Sequence, residues 1–290
     1  MWVILAIGSA FFAGVSSILA KCGIRKTPSE VATAIRTAIV IVMSVIMTLI
    51  VGSLNDIGNI DTKTWIFLIL SGLATGASWL CFFKALELGD VNKVIPVDKT
   101  STVLTLIFSF LVFQETVTWV KIVSVVAIGA GTFLMIERKQ ADEQRRGSKW
   151  WLLFACLSAV FASLTSILGK IGIDGVESNL GTLIRTIVVL LMSWIVVFVT
   201  GKTKNVGEIS KRDLLFIVFS GIATGASWLC YYKALKDGVV SVVVSVDKLS
   251  MLVTIAFSFF ALKEKLTVKA LIGLVLILAG TLALSLASLL

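Results

Sequence analysis

Two Asp–Lys pairs interrupt sequence that is otherwise apolar, Asp98–Lys99 in VIPVDKTSTV and Asp247–Lys248 in VVVSVDKLSM. Arg36 and Arg185 are lodged in the same way in TAIRTAIV and TLIRTIVV. Even on the lenient insertion scale a charge at the centre of an apolar helix costs about 2.5–3.5 kcal/mol, so each must find a partner, a wet cavity or a ligand. Adjacent helical residues point about 100° apart, so the Asp and Lys of one pair cannot both face lipid or both face one narrow seam. At least one of each pair is therefore expected on a cavity. The carboxylates of Asp98 and Asp247 are candidates for holding a coupling proton or cation. Two arginines and two lysines against two aspartates leave a surplus of positive charge, which favours a bound group that is negative. A structural arrangement competes with this one. In it Arg36 pairs with Asp98 and stitches the second helix to the fourth, while Lys99 snorkels to the membrane surface. Arg185 is then the matching ion-pair residue of the second copy.

Aromatic residues supply a second chemistry. Trp79, Phe82 and Phe83 recur as Trp228, Tyr231 and Tyr232, and their i, i+3, i+4 spacing puts each set on one helix face. Such a face can box an organic cation through its ring faces, or serve as packing and interface anchors. Only the second copy carries hydroxyls there, which suits an asymmetric ligand. Glu115 and Glu264 precede Thr-containing turns and are expected to cap or order them. The sequence has no His and no Walker motif, and Cys22, Cys81, Cys156 and Cys230 form no CxxC. Neither a metal site, a redox pair, a cofactor nor a catalytic set is expected.

The elements that position these residues are written twice. Ser71–Leu86, SGLATGASWLCFFKAL, returns as Ser220–Leu235, SGIATGASWLCYYKAL, and the same offset of 149 pairs Trp2 with Trp151, Arg36 with Arg185 and Gly131 with Gly280. The composition is 58% hydrophobic and 15% charged, with a mean hydropathy of +1.02. That balance excludes a soluble domain and indicates a polytopic membrane protein. The net charge of +9 lies in short gaps between apolar runs, where it signals topology rather than nucleic-acid binding.

A membrane helix needs about 20 apolar residues. Ten stretches approach that length: Trp2–Ala20, Val31–Val51, Trp65–Leu86, Val94–Phe113 and Trp119–Ile136, then Trp150–Gly169, Leu180–Thr200, Leu214–Leu235, Val240–Leu262 and Val268–Leu289. The first begins without a basic leader and is expected to be a retained helix rather than a signal peptide. The predicted fold is all-α, ten transmembrane helices as two five-helix repeats over residues 1–136 and 150–290, joined by a charged linker at 137–149. Five spans per copy is odd, so the second copy must enter the bilayer in the opposite sense, the inverted layout in which carriers hold substrate near the midplane. Lys21, Arg25, Lys26, Lys84, Lys93, the linker cations, Lys202, Lys204, Lys211, Arg212, Lys263, Lys265 and Lys269 fall in one set of alternate loops, against Lys63, Lys121, Lys170, Lys233 and Lys236 in the other. The positive-inside rule then places both termini outside.

The tandem five-helix module has a small-residue third helix, a Trp-x-x-aromatic-aromatic tail and a fourth helix ending in Phe-Gln-Glu-Thr-Val-Thr. It resembles the EamA-type members of the drug/metabolite transporter superfamily over essentially the whole chain. The resemblance implies a secondary carrier of the bacterial cytoplasmic membrane, moving a small polar or amphiphilic metabolite by alternating access. It also implies a cavity lined by helices 1, 3, 4, 6, 8 and 9. On this sequence that puts Ser16, Ser17, Trp79, Phe83, Asp98, Ser101, Thr165, Ser166, Trp228, Tyr232, Asp247 and Ser250 at or near the site, with Lys99 and Lys248 beside the aspartates. Small multidrug-resistance relatives carry a membrane glutamate in their first helix, whereas helices 1 and 6 here have no carboxylate, so proton/drug exchange by that route is not implied. The relatives' usual orientation, both ends cytoplasmic, is the opposite of the charge count. The expected partners are a small molecule, membrane lipid and a coupling proton or cation. Because both repeats lie in one chain, a monomer suffices, although a dimer is compatible. A non-transporting membrane protein, such as a lipid-translocase accessory or a sensor, is the alternative.

Overall fold

The computed structural model describes residues 1–23, 27–88, 91–134, 150–262 and 267–289, and the secondary structure of these is all helical. In chain order the α-helices are α1 (Trp2–Gly23), α2 (Ser29–Val51), α3 (Thr62–Leu88), α4 (Val91–Lys99), α5 (Ser101–Val112) and α6 (Trp119–Leu134). The second half supplies α7 (Trp150–Asp174), α8 (Ser178–Val199), α9 (Lys211–Asp237), α10 (Val240–Asp247), α11 (Ser250–Leu262) and α12 (Val268–Leu289). Among the described residues, 8 helical stretches are long and apolar enough to cross a membrane, and Trp119–Leu134 is apolar but shorter. Ile4, Leu191, Phe198 and Leu286 are among many large apolar side chains left exposed, as a lipid-facing surface requires.

The predicted fourth and ninth spans each tighten at one turn, although Val240–Phe257 still counts as one of the 8 stretches. α4 gives way to α5 at Thr100, whose N–H and hydroxyl both bond the Val97 carbonyl, at 3.1 and 2.6 Å. α10 gives way to α11 through Lys248 N–H to Ser245 O and Leu249 N–H to Val246 O, at 3.1 and 2.9 Å. These are i→i−3 bonds, the tight turns that end an α-helix. Both breaks fall on the Asp–Lys pairs, which puts Lys99 and Lys248 at the negative end of a helix dipole. α4 also begins earlier than the expected Val94, at Val91.

The two halves interlock along helices related by the 149 offset. α1 lies along α9 as α7 lies along α3, α2 packs on α8 and α6 on α12. Small residues make the close approaches possible, since packing rather than water expulsion holds helices together in lipid. A Cβ on Gly72 of α3 would fall 2.7 Å from Val188 Cβ of α8, and one on Gly76 would run into Met192 Cβ of the same helix. On α9, the same atom at Gly221 or Gly225 would meet Ile39 Cβ at 2.8 Å or Met43 Sδ at 2.6 Å of α2. Across α6 and α12, Gly131 faces the Gly273 carbonyl and Gly280 faces the Ser124 carbonyl.

At the helix ends, the Glu177 carboxylate accepts Asn179 N–H and Leu180 N–H at 2.8 and 3.1 Å, capping α8, and also receives the Ser53 hydroxyl. α10 is buried from Val240 to Val246, and Val240, Val242, Val243, Val244 and Val246 all join the main core. Glu115, expected to cap, reaches across from the first half to accept Ser241 N–H at 3.2 Å in the first turn of α10. Glu264 lies outside the described residues.

Candidate functional site

Hydroxyl rungs tie the halves together around the centre. Ser16 bonds Thr224 at 2.6 Å and Ser220 at 3.1 Å, between α1 and α9. In the other copy, Ser71 donates to the Thr165 carbonyl at 2.7 Å and Thr75 meets the Thr165 hydroxyl at 3.3 Å, between α3 and α7. Ser9 with Ser227 and Ser158 with Ser78 form a second matched pair, at 3.2 and 3.3 Å.

Between these rungs lies a cavity of about 360 Å³. Its wall comes from α1 (Ala13), α3 (Thr75, Trp79), α5 (Ser101, Thr102, Thr105), α7 (Ala162, Thr165, Ser166), α8 (Arg185), α9 (Ser227, Trp228, Tyr231, Tyr232) and α10 with the residue after it (Val244, Asp247, Lys248). Of the residues expected at a site, Trp79, Ser101, Thr165, Ser166, Trp228, Tyr232, Asp247 and Lys248 thus come together. The others do not join them. The Ser16 side chain is buried in its rung. Ser17 is exposed and donates to the Ala13 carbonyl. Phe83 stacks edge-on against Phe82, ring centres 5.8 Å apart, and Ser250 packs near Gly14 through its carbonyl. Asp98 accepts the Ser158 hydroxyl at 2.7 Å, and its neighbour Lys99, 3.8 Å away, has a 45% exposed side chain. The charged lining is therefore one-sided, because the Asp–Lys pair of the second half lines the cavity and that of the first half does not. The aromatic face is one-sided too. Trp228, Tyr231 and Tyr232 all line the cavity, but of the first set only Trp79 does, since Phe82 packs into a satellite core with Trp151 and Phe154.

The competing structural arrangement, an Arg36–Asp98 ion pair, is not formed. Arg36 Nη2 instead donates to Thr224 Oγ1 of the other half at 3.2 Å. Its counterpart Arg185 is 2% exposed and joins both halves. From α8 it donates to Ser71 Oγ through Nε at 3.0 Å and to Thr75 Oγ1 through Nη2 at 2.7 Å. Its guanidinium also lies over the rings of Tyr232 and Trp228, 4.6 and 5.2 Å from their centres. The reason for the change of partner is positional. Each arginine enters at the level of the Ser-x-x-x-Thr face of the opposite half, Ser71/Thr75 or Ser220/Thr224, and meets those hydroxyls before any carboxylate. Arg185 thus lines the cavity, although it was expected to be only structural, and Thr75 and Ser227 line it without having been singled out. The signal for these was present in Ser71, Thr75, Ser78 and their copies, hydroxyls at 4- and 3-residue steps on one face of an apolar helix.

Comparison with known proteins agrees with this architecture. The model of the EamA-like transporter family matches residues 1–137 and again 149–286. A Sinorhizobium protein named as an uncharacterized transporter in the cobO 3′ region is 42% identical over 138 residues, which make up 48% of this chain and 98% of that protein. An uncharacterized protein of Methanocaldococcus jannaschii is 33% identical over 107 residues, 34% of this chain and 78% of that one. A solved crystal structure superposes with a TM-score of 0.78 at 17% identity, covering 98% of both chains, which shows a shared fold. With one family match in each copy and the two together spanning nearly the whole sequence, the chain belongs to the EamA-like transporter family.

Proposed function

We propose that the protein is a secondary carrier that moves a small polar or amphiphilic metabolite by alternating access. The observation that carries this reading is the composition of the cavity wall, which takes residues from both sequence copies. A site walled in this way opens to one side or the other when the halves exchange contacts, and the matched rungs offer two sets of contacts to exchange. Glycine seams between α3 and α8 and between α9 and α2 leave smooth surfaces for that movement. In this reading the copies are inverted five-span repeats, and α4–α5 and α10–α11 are each one broken span. The tight turns would then put polar groups near mid-depth, where carriers use discontinuous helices. The charge count favours both termini outside a bacterial cytoplasmic membrane. Asp247, on the cavity, is the first candidate for a coupling proton or cation, with Asp98 its counterpart. No covalent chemistry is required, and one chain suffices.

The test is counterflow in proteoliposomes of purified protein, using ligands first found by thermal stabilisation. Asp247→Asn is expected to abolish coupled uptake while leaving the melting temperature and exchange of bound ligand intact, with a weaker effect from Asp98→Asn. Unchanged coupled transport in both variants removes them from the mechanism. Protein that binds no metabolite and moves none, yet shifts lipid reporters, would make it a lipid-translocase accessory instead.

A further inference from the structure

The charges around the cavity do not balance. Asp247 and Lys248 are 3.9 Å apart and offset each other. Arg185 has no carboxylate within 4.0 Å among the described residues, and only hydroxyls and ring faces surround it. Two of its three nitrogens are engaged, while Nη1 is buried with no hydrogen-bond partner. A guanidinium removed from water and left with an idle N–H group is costly, and residues in this position are normally completed by an acceptor. The repeat provides an internal comparison. Arg36 bonds the matching threonine and likewise keeps one buried nitrogen, Nε, without a partner, but it does not line the cavity, and the ring that replaces Tyr232 is Phe83, which does not line it either. The incomplete cation is thus on the cavity wall in one half only.

We propose that Arg185 is the anion-binding group of the cavity and that a small shift of its side chain brings the buried Nη1 to one carboxylate of a small organic acid. The proposal rests on the carrier reading and deepens it by giving the substrate class. One unmatched positive charge calls for a ligand of charge −1, which a monocarboxylate supplies and a doubly charged phosphate exceeds. Tyr232 and Trp228 lie against the guanidinium in cation–π contact. Trp79 and Tyr231 offer apolar surface to the body of the acid. Arg185 also touches α3 and α9 at once, so an acid bound there would act on the contact between the halves.

The test uses full-length protein in detergent and melts it with increasing concentrations of acid–amide pairs built on one skeleton. The pairs are phenylacetate with phenylacetamide and 3-methylbutyrate with 3-methylbutyramide, and phenethylamine and inorganic phosphate are added as separate probes. An acid is expected to raise the melting temperature while its amide, the amine and phosphate do not. Arg185→Lys, which keeps the charge but loses the planar fork, is expected to bind that acid about 10- to 100-fold more weakly, the range of a lost charge-assisted hydrogen bond. Arg36→Gln is expected to bind it as wild type does. Arg185→Gln is expected to lose the response altogether, and if that variant does not fold, Arg185→Lys decides. The proposal is overturned if amides or the amine stabilise as well as acids, if phosphate alone does, if no acid in the series binds, or if Arg185→Lys binds acids normally. Counterflow of the same probes separates the two readings. Acid binding without movement sinks the carrier and leaves the subsite, whereas movement of the amine without acid binding sinks the subsite and leaves the carrier.

Discussion

Replacing Gly131 by alanine tests how the α6–α12 seam holds the halves together. The added methyl would lie 2.5 Å from the Gly273 carbonyl oxygen and 3.0 Å from Ile277 N, where ordinary contact begins at 3.4 Å. Both atoms are backbone, so no change of rotamer relieves the clash, and α12 must move off by about 0.9 Å. A gap of roughly that size forfeits a quarter to a half of the attraction at each contact it opens. Overpacking of this kind costs about 1–3 kcal/mol. At roughly 2 °C per kcal/mol for a chain of this length, the melting temperature is expected to fall by about 2–6 °C. The assay is tryptophan fluorescence during heating of detergent-purified protein, and Trp119 borders the seam. Two further variants make the expectation graded. Gly280→Ala meets Ser124 O and Ile128 Cγ1 at 2.9 Å, a milder clash, and Gly58→Ala meets nothing within 4 Å. The order of melting temperatures should be Gly131→Ala, then Gly280→Ala, then Gly58→Ala level with wild type. A Gly131→Ala protein that melts with wild type refutes the reasoning.

Glu177→Ala removes the acceptor of two backbone N–H groups and the Ser53 hydroxyl, and is expected to cost about 1–2 kcal/mol as a lost helix cap. Glu177→Gln, which still accepts, should lose less, and equal melting curves for the two would remove the cap from the account. Gly201 has φ +69, so Gly201→Ala should cost about 1–2 kcal/mol, whereas Gly207→Ala, with its nearest atom 3.9 Å away and no left-handed φ, should be neutral. Ser16→Ala and Thr224→Val should show a coupling of about 1 kcal/mol in a double-mutant cycle of chemical stability, and strictly additive effects would mean that the 2.6 Å bond contributes nothing.

The doubling of the chain and its apolar runs are properties of neighbouring residues, and so they were legible. Register along the chain also revealed the charged and aromatic positions that the cavity uses in the second half. The helix breaks were hidden because Val94–Phe113 and Val240–Leu262 have the length and hydropathy of single spans. Whether such a run tightens at its Asp–Lys pair depends on what the side chains meet in the fold. The role of Arg185 was hidden for a similar reason. TAIRTAIV and TLIRTIVV are almost the same string, and only the packing of the halves leaves one arginine on the cavity and the other off it. Ser16 has the residue type of a ligand-contacting group, but the closeness of α1 to α9 occupies its hydroxyl with Ser220 and Thr224.

The unlike aromatic sets, Phe82 and Phe83 against Tyr231 and Tyr232, have a consequence for heredity. If two separate copies of one module had to assemble around a shared cavity, any substitution would be written on both walls at once, and the wall facing a ligand could never differ from the one behind it. Joining the copies in one chain removes that constraint. Tyr231 can bond Ser166 at 3.1 Å while Phe82, the same position in the other copy, remains a hydrocarbon plug. Each half can then be selected for a separate task, one for what it binds and the other for how it packs.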